Sequence, residues 1–321
     1  MMKPLKKQFT PTWWLRNRHL QSCYSTLFPH TAKTIISWEQ LELPDGDFID
    51  LCWAGPSGAP IVILLHGLEG SVNSHYIQVM LDVLVDDGWQ VVVMHFRTCS
   101  GRLNRLPRSY HAGETGDLTY LLQVLKNRFP SRKISAIGFS LGGNVLLRYL
   151  VENPISPLSC AIAISVPFEL NKCSDYLAYI YHRRLLKSMK QKIIDKIKHG
   201  YDMPTTISEV RTADSFRSFD EMVTAPLHGF SNADDYYSKV SVRPYLRFVE
   251  RPTLIIHALD DPLVPADSVP AQDELSENIY FELTRKGGHV GFIEGVLPWS
   301  PRYWLKERIL SFLNKEGRGR N

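Results

Sequence analysis

The stretch Ile137-Gly138-Phe139-Ser140-Leu141-Gly142-Gly143-Asn144 decides how this chain is read. Upstream, Ile134-Ser135-Ala136-Ile137 has the β-branched, apolar character of a buried strand; downstream, residues 141–151 read as a helix. A serine on such a sharp strand-to-helix turn sits in a strained backbone conformation, its hydroxyl lifted clear of the sheet. Glycines two before and two after are required because a Cβ there would collide with the neighbouring strand or helix. The helix that follows aims its first N–H groups at the same point, where negative charge would be favoured.

Working outward, short β-branched runs alternate with longer amphipathic stretches, the pattern of a parallel sheet flanked by helices. Strands are expected at 47–53, 61–65, 90–95, 134–138, 159–166, 253–258 and 279–283, and helices at 76–87, 115–129, 141–151 and 301–313. Runs such as Ile61-Val62-Ile63-Leu64-Leu65 are apolar on both faces, as a strand covered by helices on both sides must be. Residues 168–251 interrupt the alternation. They contain a basic amphipathic helix with Leu177, Ile180, Leu185, Leu186, Met189, Ile193, Ile194 and Ile197 on one side. The expected architecture is one α/β domain over residues 1–321, with 168–251 inserted as a helical lid over the open edge of a mostly parallel sheet.

A serine hydroxyl is a poor nucleophile until a base takes its proton, and the base needs an orienting acid. On such a sheet the order is serine, acid, histidine. The run Thr253-Leu254-Ile255-Ile256-His257-Ala258 leads into Asp260-Asp261-Pro262, and Tyr280-Phe281-Glu282-Leu283 leads towards Gly287-Gly288-His289-Val290-Gly291. His289 is the candidate base. Asp261, directly before Pro262, is preferred as the acid over Asp260, whose alternative role is to cap local N–H groups. Oxyanion donors are expected from the backbone N–H groups of Leu68, in the loop His66-Gly67-Leu68-Glu69-Gly70-Ser71, and of Leu141. His66 is read as holding its loop in shape, with direct chemistry as the alternative. Arg97 is read as loop architecture, pairing with an acid such as Glu114, or else as meeting an anionic substrate.

Other classes are excluded by what surrounds these residues. The 321 residues are 44% hydrophobic and 22% charged, an ordinary globular composition. No apolar run approaches the roughly 18 to 20 residues a bilayer span needs, and Gln8, Thr10, Pro11 and Thr12 stand where a signal peptide needs an apolar region. The expectation is a soluble, cytoplasmic protein. Net charge is +4, yet residues 176–198 alone hold seven basic side chains against Asp195. With no broader basic face or reading module, nucleic acid is not an expected partner. Instead the basic helix suggests peripheral contact with anionic membrane, against a plain solvated face. Five scattered cysteines with no C-x-x-C pair suggest reduced thiols, and no phosphate loop, dinucleotide fingerprint or H-E-x-x-H appears, so neither cofactor nor metal is expected.

Several longer strings carry a family likeness: Asn17-Arg18-His19-Leu20-Gln21-Ser22, Leu41-Glu42-Leu43-Pro44-Asp45-Gly46-Asp47-Phe48, the His66–Ser71 loop, Val93-Met94-His95-Phe96-Arg97 and Gly287-Gly288-His289-Val290-Gly291-Phe292. On these the sequence resembles the YheT-type esterases, bacterial members of the fourth AB-hydrolase family in the α/β-hydrolase superfamily, over nearly the whole chain. The resemblance implies a triad at Ser140, Asp261 and His289 and carboxylic-ester hydrolysis through an acyl-enzyme, on fatty-acyl esters or acylglycerols. Eukaryotic relatives include phospholipases and alcohol acyltransferases, so an alcohol acceptor in place of water is one alternative. A non-catalytic lipid- or partner-binding protein on the same fold is another. Thr98 stands where the family usually has Gly, and Ser22 where it usually has Thr; neither is expected to touch the triad.

Overall fold

The computed structural model describes residues 9–176 and 179–318, without the side chains of 179 and 180. Leu177, the Ile180 side chain and the basic start of the chain lie outside the described residues.

Eight strands form one sheet: β1 Ile36–Glu42, β2 Phe48–Ala54, β3 Ile61–Leu65, β4 Gln90–Met94, β5 Ile134–Phe139, β6 Leu158–Ile164, β7 Thr253–Ala258 and β8 Ile279–Thr284. Their spatial order is β1-β2-β4-β3-β5-β6-β7-β8, antiparallel at the β1 and β2 end and parallel from β4 to β8. Register sets the site. Leu65 stands opposite both Met94 and Gly138, and Gly138 opposite Ala163, so β3 to β6 release their loops side by side at one edge.

The expected apolar strands divide their side chains between two cores. From β3, Ile61, Ile63 and Leu65 enter one cluster; Val62 and Leu64 enter the other. Each such side chain removed from water contributes roughly 1.5–3 kcal/mol, which is why β3 has no polar position. On the first face lie α3 (Gly116–Arg128) and α4 (Leu141–Glu152); on the second lie α2 (His75–Asp86) and the terminal helix Trp304–Phe312.

The segment between β6 and β7 is helical. It includes α5 (Leu170–Tyr176), α6 (Tyr179–Lys198), α7 (Ile207–Thr212) and the helix Ala233–Val240. Leu186, Ile193 and Ile194 of α6 pack with Val210, Phe219 and Val223 in a small cluster separate from the two sheet cores. The charge on α6 is narrower than the sequence suggests. Lys190 donates to the Arg211 and Ala213 carbonyls, Lys192 pairs with Glu69, and Lys196 is buried, its ammonium donating to the carbonyls of Leu106, Pro107 and Arg108 at 2.9, 2.9 and 2.8 Å.

Elements not expected from the sequence include the edge strand β1, the helix α1 (Arg18–Leu27) and a short antiparallel pair of strands, Ile293–Glu294 with Arg302–Tyr303, which delays the terminal helix to Trp304. Among the described residues no helix is long and apolar enough to cross a membrane. None of the five cysteines is in a disulfide.

Candidate active site

Ser140 caps α4 with φ +52° and ψ −119°, a left-handed conformation that a side chain seldom adopts. Its N–H donates to the Ile164 carbonyl at 2.8 Å, tying the turn to β6. A Cβ on Gly138 would lie 2.4 Å from the Gly142 carbonyl oxygen, and one on Gly142 would lie 2.5 Å from that of His66. The two glycines therefore let strand, turn and the neighbouring loop close on one another.

His289 Nδ1 lies 2.8 Å from Asp261 Oδ2. The other Asp261 oxygen accepts the N–H groups of Leu263 and Val264 at 2.8 and 3.2 Å, and the residue is fully buried. Asp260 instead accepts the Gly288 N–H at 3.0 Å. Of the two adjacent aspartates, Asp261 faces the imidazole and Asp260 fastens its loop.

Around the loop that carries His289, distant residues act as clamps. The Ser22 hydroxyl accepts the His289 N–H at 2.8 Å, and Ser165 accepts that of Val290 at 3.0 Å. The Gln21 amide is paired with both the carbonyl and the N–H of Ile293, each at 2.9 Å. Ser22 thus sits next to the candidate base after all, which corrects the expectation that its departure from the family pattern lies clear of the site.

In the loop after β3, the Gly67 N–H donates to the Tyr76 hydroxyl and the Glu69 N–H to the Tyr110 hydroxyl, both at 2.8 Å. Between them the Leu68 N–H has no partner among the described residues, and neither has the Leu141 N–H. Both residues line the same cavity as Ser140 and His289, a space of about 720 Å³ roofed by insertion side chains such as Tyr181, Met189 and Phe216. The Glu69 carboxylate, itself at φ +57°, accepts from Tyr110 at 2.8 Å, from Lys192 at 3.0 Å and from Ser188. It joins the β3 loop to α6.

His66 is fully buried, its Nδ1 at 2.8 Å from the Gly67 carbonyl and its Nε2 accepting the Phe96 N–H at 3.2 Å. Burial pushes its pKa down to about 3, so it is a neutral strut between two loops. Arg97 does not reach Glu114. Its guanidinium is bidentate on Asp117 at 2.9 and 2.6 Å and also meets Asp45 and Asp47 at 2.7 and 3.0 Å. Glu114 is taken by Arg108 instead. Three carboxylates satisfy the buried Arg97 charge, which leaves it no capacity for a substrate anion.

One group among the described residues could hold a metal: the ligand atoms of His111, Glu114 and His228 lie within 4.8 Å of one another. Burial, then the charges of His111, Arg108, Lys196 and Arg97, push the His228 pKa down to about 2. The same positive surroundings that disfavour a proton there disfavour a cation.

Among the described residues six non-glycines hold a positive φ, and all lie beyond strand ends at one edge: Glu69, Thr98, Ser140, Ser165, Val290 and Phe292. Such strain concentrates where a binding or reacting centre dictates backbone geometry.

The comparisons agree with this architecture. A family model described as alpha/beta hydrolase fold matches residues 60–296, and the chain belongs to that family. It is 39% identical over 316 residues to YheT of Escherichia coli (strain K12), which carries an esterase name; the likeness spans 95% of this chain and 93% of that protein. Human phospholipase ABHD3 is 31% identical over 258 residues, 78% of this chain and 63% of the relative. The monoacylglycerol lipase of Saccharomyces cerevisiae is 30% identical over 268 residues, 79% and 59% respectively. Among solved structures, the Pyrococcus furiosus esterase Pf2001 superimposes with a TM-score of 0.59 at 20% identity, covering 90% of this chain and 97% of that one. At that identity it speaks for the fold alone.

Proposed function

We propose that the chain is a serine carboxylic-ester hydrolase that works through an acyl-enzyme. Ser140 attacks the acyl carbonyl and His289 takes its proton. Asp261 fixes the His289 tautomer and steadies the imidazolium. The N–H groups of Leu68 and Leu141 stabilise the oxyanion. His289 then returns the proton to the departing alkoxide, and water releases the acyl group by the same steps. The observation that carries the reading is the 2.8 Å contact of His289 Nδ1 with the buried Asp261, in a cavity shared with a serine on a left-handed turn.

Residues 168–251 serve as the lid of this single catalytic unit. The cavity volume of about 720 Å³ falls in the range of small-molecule sites and takes an acyl chain rather than a polymer. Relatives named as esterase, phospholipase and monoacylglycerol lipase support acyl esters, lipids included, as the substrate class. The test is hydrolysis of p-nitrophenyl esters from acetate to palmitate, paired with fluorophosphonate labelling. Ser140→Ala should lose both labelling and at least about a thousandfold in kcat/KM. Hydrolysis retained by Ser140→Ala would overturn the assignment. Labelled wild type with no turnover would point to a transferase needing an alcohol acceptor, and absence of labelling to a binding protein.

A further inference from the structure

Helix α1 is inside out. It buries Gln21, Ser22, Tyr24 and Ser25 while Leu20 and Leu27 face solvent, followed by an exposed Phe28. The buried polar side is explained by its work on the loop of His289. Nothing among the described residues covers the exposed apolar side, although a surface helix ordinarily turns such residues to the core.

That side continues into a second segment. The Trp13 indole donates to the Val296 carbonyl at 3.0 Å, and the Tyr24 hydroxyl to the Pro298 carbonyl at 3.1 Å; the Phe28 ring sits 4.9 Å from that of Tyr24. Trp13, Leu27, Phe28, Val296, Leu297 and Trp299 therefore share one face, with Trp13, Val296 and Trp299 respectively 67%, 77% and 79% exposed. Exposed apolar residues gathered in this way mark an interaction site, and tryptophan in particular suits the boundary between water and acyl chains. The charge beside it is mainly basic. Residues 9–38 contain Arg16, Arg18 and Lys33 and no Asp or Glu, and residues 285–306 contain four basic side chains against Glu294, which pairs with Arg302. The opposite wall of the same helix opens on the catalytic cavity, through Ser22, Cys23, Ser25 and Thr26.

We infer that this face docks the protein on an anionic lipid surface, with the aromatic side chains at the headgroup level and α1 beside the entrance used by an acyl ester. The inference rests on the esterase reading for its purpose, but the docking itself does not require turnover. It also moves membrane contact from the basic helix α6, whose lysines are partly drawn inward, to α1 and the 296–299 loop.

The test is co-sedimentation of the full chain, carrying Ser140→Ala so that lipid is not consumed, with vesicles of phosphatidylcholine alone or mixed with phosphatidylglycerol. Binding should favour the mixed vesicles and weaken with salt. The combination Trp13→Ser, Phe28→Ser and Trp299→Ser should weaken it by about tenfold or more, and Trp299→Ser alone by a smaller factor. Lys187→Glu with Lys198→Glu on α6 should leave binding within about twofold. With Ser140 restored, the triple variant should hydrolyse p-nitrophenyl butyrate at close to the wild-type rate, so that failure of docking is distinguished from failure of the esterase reading. Three results would overturn the inference: no binding to either vesicle, binding that survives the triple variant, or a dimer that the triple variant dissolves, which would make the face a contact between copies.

Discussion

Replacing Asp261 by Asn tests the site most sharply, because its surroundings dictate how the new amide must lie. In the native site one carboxylate oxygen accepts two backbone N–H groups, from Leu263 and Val264, and the other meets His289 Nδ1. An asparagine NH2 placed on the first side would face two donors. It is therefore driven to the second, where it donates to Nδ1 and moves the imidazole proton to Nε2. A base protonated at Nε2 cannot accept the Ser140 proton. The kcat for a p-nitrophenyl ester should fall by about 10³ to 10⁴, equivalent to about 4 to 5.5 kcal/mol, with KM changed only a few-fold. Asp260→Asn supplies the contrast. Its Oδ1 can still accept the Gly288 N–H, so kcat should drop by no more than about fivefold. Steady-state kinetics on both variants, with thermal melts to show that each is folded, read the difference. An Asp261→Asn enzyme that keeps more than about a tenth of wild-type kcat, or a larger loss in Asp260→Asn, would refute the reasoning.

Three other outcomes are expected. Thr98 is β-branched at φ +69°, with its buried hydroxyl unpartnered, so Thr98→Gly should raise unfolding stability by about 1 kcal/mol in urea despite the looser unfolded chain; a loss of that size would sink the account. His66 and His257 are fully buried, and burial pushes their pKa values down to about 3 and about 4. Their stabilising effect is present above the unfolded value near 6.5 and lost as pH falls towards the folded values. Each should cost about 1.4 kcal/mol between pH 7.5 and 5.5, and a melting temperature flat across that window would contradict it. Glu69→Gln weakens the tie from Lys192 and Ser188 to the residue after Leu68. It should lower kcat about tenfold with KM nearly constant, and a change confined to KM would assign Glu69 to substrate binding instead.

Legibility followed the distance over which each feature is decided. The strand, glycine and serine pattern of 134–144 is local, and β5 and α4 begin and end within one residue of the expected bounds. Asp261 and His289 were legible for the same reason, each standing just beyond a strand. The helix α1 was missed because periodicity assumes polar residues face water, whereas Gln21 is buried on Ile293, 272 positions away. Edge strand β1 was missed because it hides little: only Leu41 of its seven residues is buried. Arg97 is architecture, but its partners Asp45 and Asp47 come from the turn between β1 and β2 and Asp117 from the first turn of α3, and no spacing rule picks them over Glu114.

The strained residues give these long-range contacts a common purpose. Each of the six positive-φ side-chain residues costs on the order of 1–3 kcal/mol, and none would persist if its loop could relax. What stops relaxation is a set of hydrogen bonds from elsewhere in the chain. Tyr110 holds Glu69, Ile164 holds Ser140, and Ser165, itself strained, holds Val290. Ser22 holds His289 between them. The β3, β5 and β8 loops are thus fixed before any substrate arrives, so in the proposed reaction the two unpartnered N–H groups and the imidazole would need little rearrangement as charge develops. The sheet supplies the rigidity, with apolar packing on both faces and aligned strand ends. The insertion reaches this arrangement through Glu69: moving α6 away would strip Lys192 and Ser188 from a carboxylate with 5% of its side chain exposed. A buried charge that loses its partners is costly. The position of α6 and the aim of the Leu68 N–H are therefore coupled through one side chain.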